Sequence, residues 1–178
     1  MSKKPLGSPV WFFAILALLV FLPRLTNGQS SEDVSIEYDR FKDLTTISCP
    51  LEKIAQGVHV SFAVIYNGKE KVKDPLFSFE IITTKPLRGS EFSHKGLKTV
   101  YFILDGEKRL QVKLYEYLPE VLSNLVAETA RMHLTEEEFN QLTSANKVEA
   151  QWGETEFEFD KKSLADFHKV RQLYDARR

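Results

Sequence analysis

The sequence predicts a mainly β to α+β domain, an antiparallel β-sandwich or curved sheet with a short helix and a C-terminal helix packed on it. Three observations predict it. Val58, Val60, Phe62 and Val64 alternate with His59, Ser61 and Ala63, the period-2 signature of a half-buried strand. Residues 148–159 form a hairpin that can be checked internally. With Gly153-Glu154 at the turn and Trp152 opposite Thr155, Ala150 meets Phe157 and Val148 meets Phe159, so the apolar faces coincide. Asp160 then caps a helix in which Leu164, Phe167, Val170 and Leu173 or Tyr174 form one stripe.

Each element follows from local chemistry. Val34–Tyr38 and Leu44–Cys49 read as strands, the second closed by Pro50. After the alternating strand, Asn67-Gly68 predicts a tight type I′ turn. The charged stretch 69–75 predicts a short or irregular return before a strand at Leu76–Ile82, and Lys85–Lys95 reads as a loop around Pro86, Gly89 and Ser90. Leu97–Leu104 is apolar throughout, which predicts a central strand covered on both faces. Asp105-Gly106 turns it into Leu110–Tyr115. A two-residue turn sets Tyr101 against Leu110 and a three-residue loop sets Phe102 there. Val126–Leu134 alternates as a strand. Thr135 and Glu138 form a capping box ahead of a short helix carrying Phe139, Leu142 and Ala145. About eight strands and two late helices result.

The first 28 residues have the layout of a secretory signal: Lys3 and Lys4, the apolar run Val10–Leu22, then Pro23, Arg24 and a small polar stretch ending at Gly28. Thirteen apolar residues make a helix of roughly 20 Å, short of a bilayer core of about 30 Å. Cleavage before Gln29 is therefore expected, with an uncleaved anchor through residues 10–22 as the alternative. The domain organisation is then 1–28 signal, 29–33 flexible lead-in and 34–178 a single β-rich domain.

Removing 28 of 178 residues leaves 150, enough for a substantial core. It also removes Lys3, Lys4 and Arg24, so 21 bases face 25 acids and the net charge is near −4. Globally that disfavours nucleic acid or anionic lipid as a partner. Cys49 is the only cysteine, so no intramolecular disulfide can form. With no Asn-x-Ser/Thr sequon either, an exported bacterial protein is the expectation.

No catalytic, cofactor-binding or metal site is legible. Cys49 ends an apolar strand with no base beside it and reads as buried and structural. His59, His94, His133 and His168 lack ligand spacing and read as solvated surface residues. Glu149, Glu154, Glu156 and Glu158 gather on the polar face of the last hairpin, with Glu149 opposite Glu158. They could hold Ca²⁺, but no calcium-type loop accompanies them, and Lys147 is placed to relieve the repulsion. The basic residues of the last helix, Lys161, Lys162, Lys169, Arg171, Arg177 and Arg178, read as an ordinary polar face rather than a lipid or acidic-partner site. No Gly-x-Ser-x-Gly elbow or phosphate loop is present.

The functional expectation is an exported, periplasmic or secreted, non-enzymatic binding domain without cofactor, nucleotide or nucleic acid. Its partner would be a protein or envelope component met by an exposed patch, with Phe92, Tyr115 and Tyr117 as candidates. An envelope-tethered scaffold and an exported hydrolase with a spatially assembled site are the alternatives.

Overall fold

The computed structural model describes residues 34–87 and 92–178. The signal and lead-in segments and the Gly89-Ser90 part of the expected loop lie outside the described residues. Nine strands form one antiparallel sheet, curled into a half-barrel. They are β1 (Ser35–Asp39), β2 (Leu44–Ala55), β3 (Val58–Asn67), β4 (Lys73–Pro86), β5 (Thr99–Leu104), β6 (Lys108–Leu122), β7 (Leu125–Leu134), β8 (Val148–Trp152) and β9 (Thr155–Glu158). Helix α1 (Glu136–Ser144) lies between β7 and β8, and α2 (Lys161–Asp175) follows β9. The order across the sheet is β1-β2-β3-β4-β7-β6-β5-β8-β9. This is the curved-sheet form of the expected architecture, and each of the nine strands overlaps a segment read as strand.

Strand β6 makes the curl. Residues 108–113 pair with β5, whereas Leu114 to Leu122 pair with β7, and the register shifts between Leu114 and Glu116. A bulge bends its strand and sharpens the local twist. The consequence is visible in the core. Strands β4 and β5 are separated by two others, yet the rings of Phe79 and Phe102 lie 5.8 Å apart, edge to face. Strands spaced about 4.8 Å apart in a flat sheet cannot bring them together. The two helices complete this core. Phe139 of α1 stacks on Phe77 at 4.4 Å and on Phe62 at 5.4 Å, and Phe167 of α2 meets Phe79 at 5.9 Å. Each such ring removed from water contributes about 2 kcal/mol by burial.

Local signals were strongest where no long-range partner was needed. The capping box is present: Thr135 Oγ accepts from the Glu138 N–H at 3.2 Å, and the Glu138 carboxylate accepts from the Thr135 N–H at 2.7 Å. Asp160 accepts from the Ser163 N–H at 2.8 Å. The last hairpin pairs Trp152 with Thr155, Ala150 with Phe157 and Glu149 with Glu158. Among its turn residues only Gly153 has positive φ, +61°, as a type II′ turn requires.

Five expectations are corrected. Strand β2 does not stop at Pro50 but continues to Ala55, because a register shift between Cys49 and Glu52 accommodates the missing N–H. Asn67-Gly68 does not close a two-residue turn. The hairpin opens into the loop 68–72, with positive φ at Gly68 alone of the pair, and pairing resumes at Asn67–Lys73. Lys85 and Pro86 belong to β4, whose length is set by pairing with β7. Strand β6 runs seven residues past Tyr115, to Leu122, for the same reason. Strand β5 is covered on one face only: Val100, Phe102 and Leu104 are buried, while Tyr101 and Ile103 face outward. Its loop takes the three-residue form, setting Phe102 opposite Leu110.

Candidate functional site

Two places in the described structure concentrate chemistry. The first is buried. Glu128, on the inward face of β7, is 1 % exposed. Its Oε1 accepts from the backbone N–H of His94 at 2.8 Å and from the Tyr117 hydroxyl at 2.8 Å. Its Oε2 accepts from His94 Nδ1 at 3.0 Å and from the Ser93 N–H at 3.2 Å, with Lys85 Nζ at 3.7 Å. An ionised carboxylate only accepts, so Nδ1 carries a proton. His94 Nε2 then meets Thr155 Oγ1 at 3.0 Å. The imidazole lies flat on the indole of Trp152, centroids 3.9 Å apart.

The electrostatics follow from that cage. Burial alone would raise the carboxyl pKa of Glu128, but the His94 N–H, the Tyr117 hydroxyl and the imidazole together hold it below the usual range. Burial, joined by the bond to Glu128, pushes the Tyr117 phenol up. Thr155, His94 and Glu128 stand in the order hydroxyl, imidazole, carboxylate, which is the order of a nucleophile, base and orienting acid. Here the ring is 3 % exposed and sealed against Trp152, so the same bonds pin the 92–97 loop across the sheet. Gly153 belongs to this closure: a Cβ there would lie 2.6 Å from Leu97 Cδ1.

The second place is the outer face of β6, β5, β8 and β9. Registers align Arg109, Ile103, Glu149 and Glu158 in one row and Gln111, Tyr101, Gln151 and Glu156 in the next. Tyr101 is 49 % and Ile103 37 % exposed, and they line an open groove of about 340 Å³ with Glu149, Gln151, Glu156 and Glu158. Gln151 Nε2 donates to Glu156 Oε1 at 2.9 Å. Lys147 Nζ sits 3.1 Å from Glu149 and 3.4 Å from Glu158, which is the relief expected for that like-charge pair. Its hydrogen bond to Glu149 leads the effects that raise its pKa. Glu154 sits in the turn and does not line the groove.

The remaining candidates are dispersed. Cys49 is 1 % exposed, donates to the Phe62 carbonyl at 3.5 Å and accepts its N–H at 3.1 Å, and burial pushes its pKa up to about 12. It is buried, as expected. The expectation of surface histidines fails at His94, which sequence could not connect with Glu128, 34 residues away. The others are half-buried. Burial and then Lys53 lower the His59 pKa, His133 stacks on Tyr115 at 4.2 Å, and His168 Nε2 lies 3.2 Å from the Ala145 carbonyl. Of the expected patch residues, Tyr115 is exposed, whereas Tyr117 is tied to Glu128 and Phe92 is half-buried. On α2, Lys162 pairs with Glu52 at 2.8 Å and Arg171 with Asp175 at 3.5 Å, and beyond the end of α2 Arg178 pairs with Glu136 at 2.6 Å. Among the described residues no group of three or more His, Cys, Asp or Glu side chains is placed to hold a metal ion. No described helix is long and apolar enough to cross a membrane. The chain matches no known family model, no curated protein and no solved structure.

Proposed function

We propose that this chain is an exported, non-enzymatic binding domain whose contact surface is the outer face of β6, β5, β8 and β9. The observation that carries this reading is the pair Tyr101 and Ile103. They are large and apolar, they stand side by side on a sheet face, and they line a groove with polar rows around it. An apolar centre with a polar rim is the anatomy of a protein contact. The buried Thr155–His94–Glu128 row supports a clasp more than a hydrolase, because its imidazole is closed off by Trp152. Export rests on the leader pattern, and N-terminal sequencing that finds Gln29 first supports cleavage over an anchor at residues 10–22.

The test places a photo-crosslinking residue at the exposed Gln111, beside Tyr101, in cells exporting the protein. One crosslinked species is expected. It should disappear with Tyr101→Ser and Ile103→Ser, while the thermal melt stays within a few degrees of the parent. No crosslink from a folded, exported protein, or a crosslink indifferent to both substitutions, refutes the assignment of this face.

A further inference from the structure

The charges on the outer face of β6, β5, β8 and β9 are sorted by strand. The part of β6 that pairs with β5 presents Arg109, Gln111 and Lys113, all exposed. Strand β5 presents Ile103 and Tyr101, and β8 and β9 present Glu149, Gln151, Glu156 and Glu158 with no base. Two bases therefore flank the apolar pair on one side, and three strand acids, with Glu154 in the turn, flank it on the other. Lys147, bridging Glu149 and Glu158 from just before β8, offsets part of that negative charge. Two strand spacings, about 9.6 Å, lie between Arg109 and Glu149. Among the described residues neither Arg109 nor Lys113 has an ion-pair partner in its own chain.

A face with apolar residues between opposite charges is complementary to itself. When a copy is turned by 180° about an axis along β5, residues keep their height along the strand while the strand order reverses. Ile103 and Tyr101 lie on that axis, so each meets its own counterpart. The registers put Arg109, Ile103 and Glu149 in one row and Gln111, Tyr101 and Gln151 in the next. Arg109 therefore meets Glu149 of the second copy. Gln111 meets Gln151 of the second copy, two amides that can donate and accept reciprocally. Lys113, in the row of Thr99, comes over the turn that carries Glu154.

The geometry points to a second copy of this chain as the occupant of the Tyr101–Ile103 groove. This rests on the assignment of that face as the contact surface, and it names the partner. An unrelated protein would need two opposed blocks of charge at this spacing, whereas a second copy carries them by symmetry. The sheet curls away on both sides, so contact centres on β5 and its neighbours β6 and β8. Four strands by five residues make a footprint of roughly 19 Å by 17 Å, the size of a weak, reversible interface.

The test uses protein purified from exporting cells, with sedimentation followed from about 10 μM to about 1 mM. The parent should pass from monomer to dimer, and the crosslink from Gln111 should have twice the mass of one chain. Arg109→Glu sets like charges against Glu149 twice in each dimer, and Glu149→Arg does the same against Arg109. Each should weaken self-association by about thirtyfold, because both rim pairs turn from attraction to repulsion. An equal mixture of the two variants restores opposite charges at both rims and should dimerise within about threefold of the parent. A parent that stays monomeric, a dimer indifferent to either substitution, or a mixture that stays monomeric would each overturn the inference. A monomeric parent whose Gln111 crosslinks to a different protein keeps the face and loses only the second copy. Neither dimer nor crosslink removes both.

Discussion

Glu128→Gln is the sharpest probe of the buried clasp. The substitution keeps the shape of the side chain but replaces one acceptor oxygen with an amide that donates. If the amide takes the Oε1 position, the His94 N–H, now at 2.8 Å, loses its acceptor; at Oε2, the Ser93 N–H at 3.2 Å loses its own. The Tyr117 hydroxyl can rotate and the imidazole can change tautomer, but a backbone N–H cannot. One orphaned buried donor costs about 1–3 kcal/mol, and the surviving bonds lose their charge assistance. The expected loss is about 3 kcal/mol, which for a domain of this size lowers Tm by about 9 °C. The pH dependence supplies an independent reading. The carboxyl pKa is lowered in the folded state, so its stabilisation is present above the unfolded value of about 4.3 and is lost as pH falls through the folded value. Denaturant melts from pH 7 down to the acid limit should show a steeper loss of stability in the parent than in Glu128→Gln. A variant within about 0.5 kcal/mol of the parent, well below the ~1–3 kcal/mol of an orphaned donor, or one with an identical acid slope, would refute the clasp.

Two further outcomes follow from local geometry. The Cys49 thiol, with its pKa pushed up to about 12, should not react with an aromatic disulfide reagent at pH 8 in the native protein and should react fully after unfolding; rapid native reaction would place the sulfur at the surface. Gly153→Ala puts a Cβ 2.6 Å from Leu97 Cδ1 at a residue with φ of +61°, so a loss of about 1–2 kcal/mol is expected by denaturant melt, and a neutral result would show that the 92–97 loop moves aside freely.

The curved sheet with its two helices was legible because its signals are local. The alternation at Val58–Val64, the Thr135–Glu138 box and the matched faces of the last hairpin need no knowledge of distant residues. The misread elements each depended on a neighbour. Strand β4 absorbs Lys85 and Pro86 because β7 lies beside them, and Cys49-Pro50 stays within β2 because a bulge absorbs the proline. Strand β5 reads as doubly covered because Tyr101 and Ile103 are apolar, but the helices cover only the inside of the curl.

Sequence alone determined the class of fold, the helix caps, the turn of the last hairpin and the absence of an intramolecular disulfide, since these rest on periodicity, short-range hydrogen bonding and residue count. Only tertiary structure decided where chemistry gathers. His94, Tyr117, Glu128 and Thr155 come from a loop, β6, β7 and β9. A burial pattern fixes which face of an element points inward, but strand order and curl decide which inward and outward faces meet.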